Sequence, residues 1–463
     1  MKAARIAFLS FAIILIYDIG LKAQGDSTQS FSLTEAQDYA INNFYMTKNA
    51  ELDIEKAQKF MREVTAIGLP QISAGADYTY IPEIPTGSFP ATILENDLPF
   101  TDDPVSGNNI HNNLRIGYED GPKIRFGVEH NITYNIMLTQ LIFSGEYIVG
   151  LQASKTYMQM SKETYEKTTI ELKQLIANTY YTILILLENQ QLLKETTDNL
   201  NNIYEETKKT AEQGLMESID ADQILINVKR TENQLKYVER QLEFMNRMLR
   251  YQMGMEVSGN LHLTDSLDDL IDNNIIDEAN MYIFDLEEHI DYKLLSTQEK
   301  LNLLNLKREK SMYYPTLSGF YRYEDKLEKA DFDFTMRHMI GVTLSVPIWE
   351  SGAKNNRVGQ AKIELEKSQI MKDQEAERLI MEADQAKFDY MTALERFYNE
   401  RENFELSERV LKNTTEKYKQ GMVSSLDLTL TNNQYIEAQI TISETALQLL
   451  NAKVVLDKAY SKL

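Results

Sequence analysis

Residues 212–220 read Glu-Gln-Gly-Leu-Met-Glu-Ser-Ile-Asp, and residues 419–427 read Lys-Gln-Gly-Met-Val-Ser-Ser-Leu-Asp. Each stretch holds a Gln-Gly with an Asp six residues beyond the Gly, and the two copies stand 207 residues apart. Before Gly214 the chain runs from Gly145 without a proline, and before Gly421 it does the same from Gly352. The one other glycine in each run, Gly150 or Gly359, lies near the start. At about 1.5 Å per residue, either run makes a helix roughly 100 Å long. Its lower half carries a 3.5-residue seam: Leu193, Thr197, Leu200, Tyr204, Thr207 and Ala211 in one copy, Phe404, Ser407, Leu411, Thr414 and Tyr418 in the other. The residues after each Gly repeat the apolar period. The spacing therefore predicts two coiled-coil helical hairpins, turning at Gly214 and Gly421. An ordinary helical bundle core explains the apolar positions equally well, but not two matched hairpins of this length. Ser144 and Ser351 are the expected N-caps of the long helices.

Outward from the hairpins the duplication continues. Leu141-Ile142-Phe143-Ser144-Gly145 recurs as Ile348-Trp349-Glu350-Ser351-Gly352, and Leu69-Pro70-Gln71-Ile72-Ser73 recurs as Tyr314-Pro315-Thr316-Leu317-Ser318. Between these marks lie segments of period two. Ile72, Ala74, Ala76, Tyr78 and Tyr80 share one face of the first. Val128, Ile132, Tyr134, Ile136 and Leu138 share one face of the second, interrupted by His130. Leu317, Tyr321 and Tyr323 mark the third, and Met336, Ile340, Val342, Leu344, Val346 and Ile348 the fourth. Tyr78, Tyr80, Phe143, Tyr321, Tyr323 and Trp349 sit near segment ends, as aromatic residues do where a spanning β-strand meets the membrane interface. A half-buried soluble sheet shows the same alternation. The rings and an export signal favour lipid.

That signal is Met1 to Ala23: basic Lys2 and Arg5, the apolar run Ile6–Tyr17, then Leu21-Lys22-Ala23 before Gln24. An uncleaved anchor is the alternative. No later run is long and apolar enough for a spanning helix. Four strands cannot close a barrel, and an open edge in hydrocarbon strands backbone N–H and C=O groups at several kcal/mol each. Spanning strands therefore require oligomerisation, and a conducting lumen favours three or more copies over two. The expected organisation is a signal peptide (1–23), a first repeat (24–254), a connecting segment (255–290) and a second repeat (291–463). The proline-rich segment 83–125 is expected to be a surface loop, and its counterpart 324–335 a short acidic one.

Composition narrows the function. The 463 residues carry a formal charge of −22 and no cysteine. The charge repels nucleic-acid phosphate, so no nucleic-acid partner is expected. The lack of cysteine removes disulfides, thiolate metal sites and a Cys nucleophile. The five histidines show no ligand spacing, and no phosphate-cradling loop is present, so neither an enzyme nor a bound cofactor or metal is expected.

Together these features resemble the TolC-type outer-membrane efflux proteins. The matching pieces are Ser32-Leu33-Thr34-Glu35-Ala36, Leu69-Pro70-Gln71-Ile72-Ser73, Gln140 to Gly145, Tyr314-Pro315-Thr316-Leu317, Pro347 to Gly352, and Gln420-Gly421 followed by Asp427. The resemblance implies a mostly α chain with a transmembrane β part. Long hairpins would form a periplasmic α-barrel, and four strands per chain would contribute to a 12-stranded β-barrel in a homotrimer, in contact with outer-membrane lipid. It implies a passive exit duct for efflux or type I secretion, docked through a periplasmic adaptor (a membrane fusion protein) to an inner-membrane transporter. By that resemblance Asp427, and Asp220 by the internal repeat, would close the periplasmic gate with Met422 and Val423. The hairpin tips Gly214, Leu215, Gly421 and Met422 would receive the adaptor. A ring of like charges on a narrow axis attracts cations, although an Asp near a helix start also serves simply as a cap. Leu430 and Val423 stand where the family often has a second acid and a basic lock. The alternative from another class is a soluble periplasmic coiled-coil scaffold or adaptor.

Overall fold

The computed structural model describes residues 29–94, 116–259, 261–274, 283–330 and 333–463. The expected signal peptide lies outside them. The chain forms two compact units, one of residues 1–49, 167–285 and 379–463, the other of residues 50–166 and 286–378. Each unit draws on both halves of the sequence.

In the second unit, β2 (Gln71–Tyr80), β5 (His130–Phe143), β7 (Thr316–Lys326) and β8 (His338–Ser345) form one antiparallel sheet in the order β2-β5-β7-β8. Its register aligns the apolar positions. Tyr78 pairs with Ile132, Ile72 with Leu138, Leu138 with Tyr321, and Tyr321 with Ile340. One continuous apolar face results, and it is bare: Ile72 is 72% exposed and Ile340 83%. The opposite face carries Ser73, Asp77, Asn135, Thr139, Arg322 and Thr343. A soluble protein rarely leaves such a face uncovered. Lipid is the solvent that fits it. Over its 14 residues β5 extends roughly 45 Å at about 3.4 Å per residue. Tilted by about 45°, as membrane strands are, that matches a hydrocarbon core of about 30 Å. Among the described residues no helix is long and apolar enough to cross a membrane.

The register shifts between Leu141 and Phe143, so that Phe143 pairs with Leu317. Such a bulge inserts one residue and exchanges the two faces. Phe143 thereby joins the apolar side, which strict alternation from Leu138 would deny it. The expected loop 83–125 needs correction. It contains a second antiparallel pair, β3 (Thr86–Leu94) and β4 (Ile116–Arg125). Of the prolines that argued for a loop, Pro90 falls where a two-stranded ribbon tolerates it, at a register shift. The remainder, 95–115, lies outside the described residues.

The long helices are α3 (Gly145–Glu212) and α7 (Ala353–Lys419), returning as α4 (Ser218–Gln252) and α8 (Ser425–Ala459). Ser144 caps α3, its hydroxyl accepting from the Tyr147 amide at 3.2 Å. Ser351 does not cap α7. It takes a left-handed φ of 48°, and Gly352 carries the first helical carbonyl, accepting from Asn356. The sequence repeat is therefore offset by one residue at this junction.

Within the first unit, α3, α4, α7 and α8 pack with α1 (Leu33–Asn43) around Leu172, Ile176, Tyr180, Leu449, Leu450 and Leu456. In the segment expected to connect the repeats, β6 (Leu261–Leu263) pairs in parallel with β1 (Gln29–Phe31), and α5 (Leu267–Asn274) follows. Asp265, just after β6, accepts from the Leu33 amide at 2.7 Å and the Tyr180 hydroxyl at 2.9 Å. This buried pin ties β1, β6 and α3 together. Burial and the Asp265 carboxylate push the Tyr180 phenol far up.

Candidate functional site at the hairpin tips

Both turns close in the same way. The amides of Gly214 and Leu215 bond to the carbonyls of Ala211 and Thr210, and those of Gly421 and Met422 bond to Tyr418 and Lys417. This ends each long helix with a glycine in the left-handed region, at φ 74° in both. Among the described residues, chain neighbours aside, no heavy atom lies within 4 Å of the space a Cβ would occupy at either position. Backbone conformation alone demands glycine here. Leu215 and Met422 follow as exposed tips, 74% and 69% accessible.

The return helices start differently. Ser424 is the N-cap of α8, and Asp427 is its third helical residue. The Asp427 carboxylate accepts from the Ser424 amide at 3.0 Å and its hydroxyl at 2.7 Å, while the Asp427 amide donates to Ser424 Oγ at 3.2 Å. This is a reciprocal capping box. These bonds hold the Asp427 carboxyl below the usual carboxylate range, the Ser424 hydroxyl contributing most. In the first hairpin Glu217 occupies the cap position and its side chain makes no cap bond. The carboxylate of Asp220, equivalent to Asp427, is thus left to another partner. It accepts from the hydroxyl of Ser425, at the start of α8, which also reaches Gln223 Oε1 at 2.7 Å.

The two predicted gate acids therefore have distinct jobs within one chain. Asp427 organises its own helix at the surface. Asp220 ties α4 to α8. Above them Ile203, Ile224, Tyr418 and Leu428 form a small buried cluster, against which Val423 and Met216 pack. Tyr418 and Thr207 share a hydroxyl contact at 3.1 Å. Burial pushes the Tyr418 phenol up, with the Thr207 bond opposing it. Further along, Asn227 donates to Thr429 at 2.7 Å and Arg230 to Asn433 at 3.4 Å. Ser425, Thr207 and Tyr418 were not singled out as site residues from sequence. Ser424-x-x-Asp427 was a readable cap signal, whereas the contact of Ser425 with Asp220 spans 205 residues and leaves no local mark.

The predicted aromatic residues do not all lie at the ends of the sheet. Phe143, after the bulge, and Trp349, 81% exposed, mark the helix end. Tyr78 and Tyr80 mark the far end of β2, whereas Tyr321 and Tyr323 pair with Leu138 and Ile136 in the middle of β5. Each tyrosine pair is joined to a histidine. Tyr78 Oη lies 3.0 Å from His130 Nδ1, and Tyr321 Oη 2.9 Å from His338 Nδ1. The rings of Tyr80 and Tyr323 lie 5.3 Å and 5.2 Å from the same imidazoles. The histidine that interrupts the apolar face is thus part of its border, and the device is duplicated.

The fold has close counterparts. The structure of CusC superposes with a TM-score of 0.71 at 14% identity, covering 93% of this chain and 92% of that one. The outer membrane protein VceC of Vibrio cholerae gives 0.68 at 14%, covering 92% and 95%. The CmeC outer membrane channel of Campylobacter jejuni gives 0.68 at 16%, covering 93% and 85%. No curated sequence matches the chain. The profile of the Outer membrane efflux protein family matches residues 128–254 and 306–461, more than half of the chain. This chain accordingly belongs to the outer membrane efflux protein family, as a channel of the outer membrane with a large periplasmic part and no enzymatic role.

Proposed function

We propose that the protein is one third of a homotrimeric exit duct, coupled through a periplasmic adaptor to an inner-membrane transporter in an efflux or type I secretion assembly. The observation that carries this reading is the sheet. Its apolar face is continuous over four strands while, among the described residues, both of its outer strands, β2 and β8, keep an unpaired edge. Only neighbouring copies can satisfy those edges in lipid. Three copies give twelve strands, enough for an open lumen. The exposed tips at Leu215 and Met422 would meet the adaptor. Asp427 and Asp220, with Met422 and Val423, would line the periplasmic gate.

Native mass measurement of the detergent-extracted protein should report three chains, and planar bilayers should show cation-selective conductance. A stable single chain would overturn the reading. A soluble periplasmic scaffold would instead leave the membrane without detergent, and the bare apolar face opposes that outcome.

A further inference from the structure

A cavity of about 750 Å³ lies in the second unit, where the helices meet the sheet. That volume suits a small organic molecule. Helix α2 (Tyr45–Ile67) gives it Phe60, Val64 and Ile67, β5 gives Leu141, and the first turns of α3 give Tyr147 and Tyr157. Two contacts hold α2 and α3 antiparallel along it. The Tyr147 hydroxyl donates to the Thr65 carbonyl at 3.1 Å, and the Phe60 and Tyr157 rings meet edge to face at 5.8 Å. Between those contacts the small residues Gly150 and Ala153 leave the space open.

The strand register tells which side of the wall the cavity opens on. Leu141 pairs with Ser318, and Ser318 with Thr343, on the polar face of the sheet. Ile142 is turned the other way, its Cδ1 3.4 Å from where a Cβ of Gly319 would stand. The residue that the sheet lends to the cavity is thus a bore-side residue. Helix α3 agrees. Tyr157 lines the cavity, whereas Ile148, nine residues earlier, is 46% exposed. At 3.6 residues per turn the two lie about 180° apart. An exposed isoleucine fits the lipid side of the wall, below Phe143.

The charged groups of the cavity stand at its ends. Glu146 and Arg308, the latter from α6 (Ile290–Ser311), lie toward the sheet. Lys56 lies at the far end, eleven residues of α2 before Ile67, or about 16 Å. Two basic residues and one acidic one reverse the balance of the whole chain, which has 48 bases to 70 acids. Arg308 is already bonded to Glu309 at 2.9 Å. Lys56 has no hydrogen-bond or ion-pair partner among the described residues. An apolar trough edged with rings and ending at an unpaired ammonium is complementary to a solute that is apolar over most of its length and anionic at one end.

We infer that this cavity is a bore-side binding site for amphipathic organic anions, a carboxylate or sulfonate carried on a ring-bearing body. The anionic group sits at Lys56 and the body lies against Phe60, Val64 and Tyr157. Such anions are then one class of cargo, a conclusion that rests on the exit duct proposed above.

The probe 4-benzoylbenzoate is an anion of this class and attaches to nearby C–H groups on irradiation. The full chain, purified in a nonionic detergent, is irradiated with it and the labelled peptides are mapped by mass. Label should saturate and fall within 56–67 and 144–157. Lys56→Gln, at an exposed position, should raise the half-saturating concentration roughly fivefold or more, whereas uncharged 4-methylbenzophenone should label both proteins alike. Ala153→Phe should fill the space and remove the label of both probes. Should that variant not assemble, Lys56→Gln alone decides. Label that spreads over the strands without saturating, or that ignores these substitutions, overturns the site. In planar bilayers the anionic probe should lower single-channel conductance, and less so in Lys56→Gln. If the channels conduct and no label saturates in the cavity, the site fails while the duct stands. If label saturates there but nothing conducts, the duct fails and the cargo role with it.

Discussion

The hydroxyl of Ser425 donates to the carboxylate of Asp220, joining the first turns of two helices 205 residues apart in sequence. Ser425 is 2% exposed, so this bond is shielded from water at the point where the hairpins would have to separate for the tip to widen. Hydrogen bonds to charged groups contribute about 1.5–3 kcal/mol. Ser425→Ala should therefore raise the open fraction of single channels by roughly tenfold or more. An unchanged open fraction in planar bilayers would mean that α4 and α8 do not part there.

Asp427 raises a question of charge against cap. Asp427→Asn removes the charge while keeping an acceptor for Ser424. If three Asp427 carboxylates surround the pore axis, this variant should lower cation selectivity, seen as a shift of reversal potential in a salt gradient. Asp220→Asn should do less, because its carboxylate is turned to Ser425. Equal reversal potentials in all three proteins would leave Asp427 as a cap alone.

The capping box also sets a pH dependence. Its folded carboxyl titrates below the ordinary value. The stabilisation is therefore complete above the ordinary carboxylate pKa, about 3.9, and is lost as pH falls through the lower folded value. Hydrogen exchange of a peptide covering 424–430, corrected for intrinsic rates, should stay protected at pH 5 and open only in strong acid. In Ser424→Ala that opening should move upward toward the ordinary range. An unmoved transition would contradict the assigned cause.

Tyr180→Phe tests the pin at Asp265. The phenol is fully buried and reaches both the Phe31 carbonyl, at 3.0 Å, and Asp265. Its loss leaves buried acceptors short of a donor, at about 1–3 kcal/mol. Exchange should accelerate first in Gln29–Phe31 and Leu261–Leu263. A uniform change over the whole chain would show that the pin is not local.

Gly421→Ala should cost about 1 kcal/mol through backbone conformation alone, because the added methyl meets no neighbour. Gly214→Ala should cost the same, since the two turns share one geometry. Thermal melting of the detergent-extracted protein would read either change. A much larger loss at one tip would reveal a contact made by another chain.

What sequence could show followed from periods and duplication. Alternation placed Tyr78 and Ile340 on the apolar side, and the Gly-to-Gly runs bounded α3 and α7 to within a few residues. What escaped were single-residue displacements. The bulge before Phe143 and the left-handed Ser351 each break a count by one, and neither has a composition signal. Contacts such as Asn227 with Thr429 escaped for another reason: they depend on how two hairpins lie side by side. Divergence between the repeats was visible only in hindsight. Glu217 in place of a serine reads as a neutral change until the fate of Asp220 is known.

The extra residue at the end of β5 constrains how this wall can evolve. Deleting one residue between Leu138 and Phe143 would remove the bulge, and plain alternation over the four remaining steps would still leave the Phe143 ring on the apolar side. Deleting a second would turn the ring into the aqueous bore unless a new bulge formed. Relatives that diverge freely elsewhere should therefore change the length of this short stretch by one only together with its bulge, whatever letters fill it.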